Sequence, residues 1–204
     1  MPGMEELRKR LAGNTRLYSP QSLEKDPNDD NRLGPIPRVP VGTMFRSRKE
    51  LAQSGVHRAN PAGIAGSMKG ATSVVLSGKY EDDVDQGDVV WYTGAGGRQD
   101  DGKKGWNMDG PQVKDQSFEH PHNLKLRITY ETGRSIRLVR AINKGYRYDG
   151  MYRVTEAYLG KGKSGHAICR FKFEREPDQP PLGPLPATAR TTSSSREAGI
   201  SRRV

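Results

Sequence analysis

The sequence predicts an α+β domain made mainly of short strands, with a barrel-like or saddle-shaped sheet. Three observations lead there. Only 32% of residues are apolar, which favours strands and turns over a helical bundle. The chain carries 24 Gly and 14 Pro, enough to punctuate it repeatedly. Several short runs rich in Val, Ile, Tyr and Phe lie between those turn residues, and no internal repeat organises them.

Taken in order, Met4 to Leu11 can form a short charged helix, but only Leu7 and Leu11 give it an apolar stripe. Residues 12–33 are rich in Asn, Asp, Pro and Ser and read as linker, so residues 1–33 form an N-terminal extension. Gly34 to Gly42 (GPIPRVPVG) is predicted extended, because its prolines bar helix and restrict their neighbours. Ser47 to Ser54 reads as a short helix ended by Gly55. Ser73 to Leu76 and Val89 to Tyr92 are β-rich runs on either side of an acidic turn. Leu124, Leu126, Ile128 and Tyr130 alternate as a strand would, yet Asn123 and Gly133 can cap a helix over the same residues. Ser135 to Arg140, Tyr152 to Tyr158 and Ala167 to Arg175 are further strands. From Pro177 onward almost nothing can be buried, so 177–204 is expected to be a disordered basic tail.

The net charge of +10 is uneven. The first 33 residues carry six basic and six acidic side chains; residues 177–204 carry four Arg and two acids. That leaves +8 of the +10 on residues 34–176. With a pI near 9.8, an excess on the folded part points to a polyanion such as nucleic acid. A generic solubilising surface is the alternative. Cys169 is the only cysteine, which rules out an internal disulfide and Cys-rich zinc modules. There is no apolar run of transmembrane length, and the N-terminus lacks a signal-peptide pattern. The chain reads as soluble and intracellular, without a membrane partner.

The acidic turn stands out in this basic chain. Leu76 to Arg98 holds Glu81, Asp82, Asp83, Asp85 and Asp88, bracketed by Tyr80 and Tyr92. Aromatic faces beside a carboxylate suit a pocket that reads a nucleobase, which can be stacked and bonded along its edge. Three plainer readings stay open. A tyrosine beside a strand is commonly core, an acidic run is commonly a solvated hairpin turn, and clustered carboxylates can hold a divalent metal. The metal reading is weak, because Asp83 to Gly87 does not continue into a calcium-loop pattern. No cofactor or metal is expected.

Eight ordered blocks carry a resemblance. They are GPIPRVPVGTMFRSR (34–48), SGVHRANPAGIAG (54–66), VVLSGKYEDDVDQGD (74–88), YTGAGGR (92–98), DQSF (115–118), RLVRA (137–141), YRYDGMYRV (146–154) and KGKSGHAICRFKFER (161–175). Together they resemble the SET- and RING-associated domain, also named for its Tyr148-Asp149-Gly150 element. The domain occurs in UHRF-type ubiquitin ligases and plant histone methyltransferases. The likeness covers residues 34–176, and tips 123–133 towards helix. It implies a PUA-like curved β-barrel with short helices packed on it. It also implies binding of double-stranded DNA containing 5-methylcytosine, with the modified base flipped out, as a nuclear chromatin reader rather than an enzyme.

Carried over by position, Tyr80 and Tyr92 would sandwich the ring and Asp83 would read its edge. Cytosine offers an N4 amino donor where thymine offers an O4 acceptor, so a carboxylate selects cytosine. Ser77, Gly78 and Lys79 would line the pocket with backbone N–H groups facing O2, and the Thr93 carbonyl would take the second N4 hydrogen. Ala95 would stand at the methyl site, where UHRF-type members commonly have Ser. The lost hydroxyl makes 5-hydroxymethylcytosine a second candidate ligand. Asn60 or Pro61 would wedge into the minor groove. The finger segment from Arg98 has Lys103-Lys104-Gly105 in place of the family's Asn-Lys-Arg, so a hemimethylated preference is not expected. His57, Arg58, Arg98, Lys103, Lys104, Lys161, Lys163 and Ser164 are the duplex candidates, with Arg140 a further phosphate candidate. Tyr148 and Asp149 are expected to stabilise the fold, Glu81, Asp82 and Asp88 to serve turn chemistry, and Cys169 to be core. His120-Pro121-His122-Asn123 resembles a fragment of a histidine-nuclease motif, so a subunit of a modification-dependent nuclease is the enzyme alternative. The tails are candidate docking segments for chromatin-silencing proteins, and pairing of two copies on DNA is a further option.

Overall fold

The computed structural model describes residues 33–99, 110–143 and 145–183. Eight strands form one mixed sheet: β1 (Met44–Phe45), β2 (Ile64–Ser67), β3 (Gly70–Leu76), β4 (Val84–Asp85), β5 (Val89–Thr93), β6 (Ser135–Ile142), β7 (Gly145–Lys161) and β8 (Ala167–Arg175). Their order is β2-β3-β6-β7-β8-β5-β4, with β1 paired to β7. Only β3 and β6 run parallel; the other pairs are antiparallel. The α+β expectation holds, but this hydrogen-bonded path runs from β2 to β4 without closing into a barrel.

Helix α1 (Arg48–Gln53) lies within the Ser47–Ser54 span expected to be helical, and starts where Ser47 accepts a hydrogen bond from the Glu50 amide. Helix α2 (Pro121–Thr132) resolves the ambiguity over 123–133 in favour of helix. Gly133 ends it in the left-handed region at φ 64°, but the N-cap is His120 rather than Asn123. The strand-like alternation arises because Asn123, Leu124, Leu126, Ile128 and Thr129 are all buried, a broad face laid across the sheet.

Residues 34–42 are not simply extended. They bend twice, with Val39 N donating to Ile36 O (3.2 Å) and Thr43 N to Pro40 O (3.2 Å). β1, β2 and β4 were missed, each being four residues or fewer. β7 is 17 residues long and extends the strand expected over Tyr152 to Tyr158, because the chain continues through Asp149 as a bulge. Leu138 pairs with Gly150 and Val139 with Tyr148, leaving Asp149 as the extra residue. The bulge buries Asp149 completely, where it accepts from Arg140 and Arg147. Tyr148 is also buried, so this element stabilises the fold as expected.

The main core joins Val74, Leu76, Val90, Tyr92, Leu126, Leu138, Tyr152, Phe171 and Phe173 between the sheet and α2, with Cys169 inside it. A second cluster under α1 includes Phe45, Leu51, Val56, Val139 and Tyr148. Residues 177–183, assigned to the tail by composition, lie against the sheet instead. Gln179 exchanges hydrogen bonds with both the N–H (2.7 Å) and the C=O (2.8 Å) of Met151, and Arg147 holds Gly183 O (2.8 Å).

Candidate functional site

The chain leaves β3 at Leu76 and turns. The Asp83 amide donates to Tyr80 O at 3.1 Å, closing a four-residue turn that sets both side chains on one wall. They line a cavity of about 150 Å³ with Leu76, Gly78, Asp85, Arg140 and Ala141. Asp83 Oδ1 accepts from Thr93 N at 2.8 Å, which fixes the carboxylate to the end of β5. Its Oδ2 is buried without a hydrogen-bond partner. Burial pushes the carboxyl up to about 6, against the hydrogen bonding from Thr93 and the charge of Arg170. One oxygen is thus anchored and the other unspent, which suits a ligand N–H donor and disfavours a ligand carbonyl.

Tyr80 is half-buried, with the Arg98 guanidinium carbon 4.1 Å from its ring centroid. Arg98 also donates to Lys79 O (3.3 Å). It therefore covers part of the Tyr80 ring. Tyr92 differs from the sandwich expectation. Its ring is 3% exposed, 5.5 Å from Phe173, and does not line the cavity. The core reading of a strand tyrosine applies to it. Its phenol is raised well above the ordinary range by burial, and further by Tyr80 and Asp83 nearby.

The neighbouring carboxylates divide their work. Asp85 Oδ1 accepts from Gly87 N (3.0 Å) in the tight β4–β5 turn, as the hairpin reading supposes. The same side chain also makes a two-pronged ion pair with Arg140 (2.8 and 2.9 Å). Arg140 is buried by this pair and by Asp149, so it is not a phosphate ligand. Asp82 Oδ1 accepts from Lys163 N (2.9 Å), and Lys163 Nζ donates to Glu81 O. Lys163 holds the acidic turn from outside.

His57 is the clearest correction among the duplex candidates. It is fully buried, with Nε2 2.9 Å from Ala62 O and Nδ1 2.9 Å from Ser73 Oγ. A carbonyl can only accept, so Nε2 carries the proton and Nδ1 accepts from the serine. Desolvation lowers its pKa to about 4. Sequence reasoning also missed Arg48, whose Nη2 donates to Pro61 O (2.9 Å) and Ala62 O (3.2 Å). Together these two residues hold the 60–62 loop with Asn60 and Pro61 exposed. Nothing in the local pattern of Arg48 announces the role, because its partners are backbone atoms 13 and 14 residues away.

Arg58, Lys79, Lys161 and Ser164 are exposed, and Ser77, Ala95 and Arg98 partly so. Thr93 is buried at the end of β5, its Oγ1 without a partner. Lys103 and Lys104 lie outside the described residues. No group of three His, Cys, Asp or Glu that could hold a metal occurs among the described residues. His120 caps α2 with its ring 5.6 Å from that of His122. Cys169 is core as expected, its thiol pushed up to about 12 by burial.

Known proteins are similar to this chain in fold and in sequence. The SAD/SRA domain model matches residues 32–179, and the chain belongs to that family. A UHRF1-like protein of Cryptococcus neoformans is 37% identical over 203 residues, covering 91% of this chain and 55% of its own length. The chain thus spans about half the length of that relative. The SUVH5 SRA domain, solved in complexes with fully methylated CG DNA and with fully hydroxymethylated CG DNA, is 37% identical at a TM-score of 0.64. Both alignments cover 74% of this chain and 99% of the SUVH5 chain. The modification-dependent TagI restriction endonuclease is 31% identical, with a TM-score of 0.64 over 72% of this chain and 53% of its own.

Proposed function

We propose that this chain binds double-stranded DNA containing 5-methylcytosine and holds the modified base, rotated out of the duplex, against Tyr80 and Asp83. The observation that carries the reading is Asp83, with one oxygen fixed by Thr93 N and a second buried without a partner beside the half-buried Tyr80 ring. That oxygen accepts the cytosine N4 amino group and repels a thymine O4. Tyr80 stacks on the ring, and Ser77, Gly78, Lys79, Thr93 and Ala95 complete the enclosure. Asn60 and Pro61, on a loop held by Arg48 and His57, fill the space the base leaves. Arg58, Lys161 and Ser164, all exposed, are the phosphate contacts of this reading, with Arg98, Lys103 and Lys104 as further candidates. Tyr92 acts from the core, as support for the turn rather than as a second stacking face.

The reading makes the chain a nuclear chromatin reader, not a catalyst. Ala95 in the methyl-facing loop supports 5-hydroxymethylcytosine as a second ligand, as does the SUVH5 complex with hydroxymethylated DNA. The likeness to TagI supports DNA recognition within a modification-dependent nuclease as the alternative role. Titrations with matched duplexes carrying C, 5-methylcytosine or 5-hydroxymethylcytosine test the proposal. Tighter binding of a modified duplex is expected, lost in Asp83→Ala and Tyr80→Ala. Equal affinity for all three, or mutants that discriminate as the wild type does, would overturn it. Cleavage of methylated DNA by the chain with Mg²⁺ would favour the nuclease role.

A further inference from the structure

We infer that Asn123 and Gln116 form a two-amide clamp that fixes the Gly94–Gly97 loop and thereby sets how strongly the site distinguishes substituents at cytosine C5. The inference rests on the proposed reading, in which Ala95 faces that position. Three of the loop's four residues are glycine, so its own backbone supplies little rigidity. The rigidity comes from two buried side chains that sequence reasoning did not assign to the site.

Asn123 is fully buried in the first turn of α2. Its Oδ1 accepts from Ala95 N (2.6 Å), and its Nδ2 donates to Ala95 O (2.9 Å) and Ser117 O (2.9 Å). Gln116 is 5% exposed. Its Nε2 donates to Gly94 O (2.9 Å) and Gly96 O (3.3 Å), and its Oε1 accepts from Cys169 N (3.0 Å). Gly94 N donates to Cys169 O (2.8 Å), while Gly97 O accepts from Val113 N (2.7 Å) and Lys114 N (3.0 Å). Every carbonyl from Gly94 to Gly97 therefore has a donor. Space is equally restricted. A Cβ on Gly94 would stand 2.6 Å from Asn123 Oδ1 and 2.8 Å from Cys169 Cβ. A Cβ on Gly96 would meet the His120 ring at 3.3 Å. The His120–Asn123 segment thus acts through the loop as a positioning unit.

The consequence is discrimination. Burial of one methyl group alone gives about a fourfold preference. A larger ratio requires a wall that does not collapse when the methyl is absent, because collapse recovers the lost contacts. The clamp supplies such a wall. Asn123 and Gln116 touch neither base nor phosphate, so they are positioning residues.

Two variants of the full chain test this. Asn123→Asp keeps size and the acceptor for Ala95 N but loses the amide donors. Gln116→Met keeps volume and loses the hydrogen bonds. In folded variants the preference for 5-methylcytosine over C should fall to about fourfold or less, with affinity for unmodified DNA within about threefold and the salt dependence unchanged. A folded variant that retains the full wild-type preference overturns the clamp, as does a wild-type preference of only about fourfold. Wild-type protein with no preference at all overturns the reading of the site instead. Should neither variant fold, hydrogen exchange on the wild-type chain decides. Ala95 N–H should be protected at least about a hundredfold without DNA, and exchange at peptide rates would overturn the inference.

Discussion

Replacing Asp83 by asparagine should stabilise the free protein at pH 7 while removing its preference for cytosine-type bases. Burial raises this carboxyl from 3.8 to about 6. Between those values the folded state holds the proton that the unfolded chain releases. Stability therefore falls as pH rises through the window, and the whole penalty stands above pH 6. At about 1.4 kcal/mol per pH unit, the ionised group costs about 3 kcal/mol at pH 7 and roughly half that at pH 5. Asparagine keeps the acceptor for Thr93 N but leaves an amide group unpartnered, which returns about 1–2 kcal/mol of the gain. The net is about 1–2 kcal/mol, or roughly 3–6 °C in Tm for a domain of this size. Thermal unfolding of wild type and Asp83→Asn from pH 4.5 to 7.5 measures it. The comparison must be a difference between the two proteins. His57 has its pKa lowered to about 4, so its contribution is lost as pH falls from 6.5 and offsets that of Asp83 in wild type. A Tm difference that is absent at pH 7, or constant across the range, would refute the argument. By the same titration, wild-type affinity for modified DNA should weaken as pH falls below about 6, as the carboxylate that accepts from N4 becomes protonated.

The other predictions concern single side chains. Tyr80→Ala should weaken binding by about 1–3 kcal/mol with little loss of Tm, whereas Tyr92→Ala should cost about 3–5 kcal/mol of stability; paired titration and urea unfolding separate the two. Asp149→Ala leaves Arg140 and Arg147 without their shared buried carboxylate and should cost about 3–5 kcal/mol, read as a lower urea midpoint at constant slope. Arg48→Met removes the donors to Pro61 O and Ala62 O; DNA binding should weaken while the unmodified-to-methylated ratio is kept, as measured by titration.

The turn residues show how much of the site was legible beforehand. The family likeness places Asp83 and Tyr80 together, and the structure joins them through a local four-residue turn whose ends are three residues apart. Tyr92 could not be separated from them, since burial depends on Phe173 and on a sheet order that brings β5 beside β8. His57 looks like a surface cation in sequence and is a neutral core group in space, because Ser73 and Ala62 supply its two partners.

The sequence by itself determined the strand-rich class, the basic charge of the central region, the α1 and β8 boundaries and the turn that carries Asp83. These depend on local propensity, capping and composition, which act over a few residues. The tertiary structure decided which cations are buried, which tyrosine faces the cavity, and that Asn123 and Gln116 hold the Gly94–Gly97 loop. Those outcomes rest on desolvation and on hydrogen bonds such as Asn123 to Ala95, 28 residues apart, and Gln116 to Gly94, 22 apart. Only the packed sheet and helix bring such groups together, and their burial is what makes the bonds count.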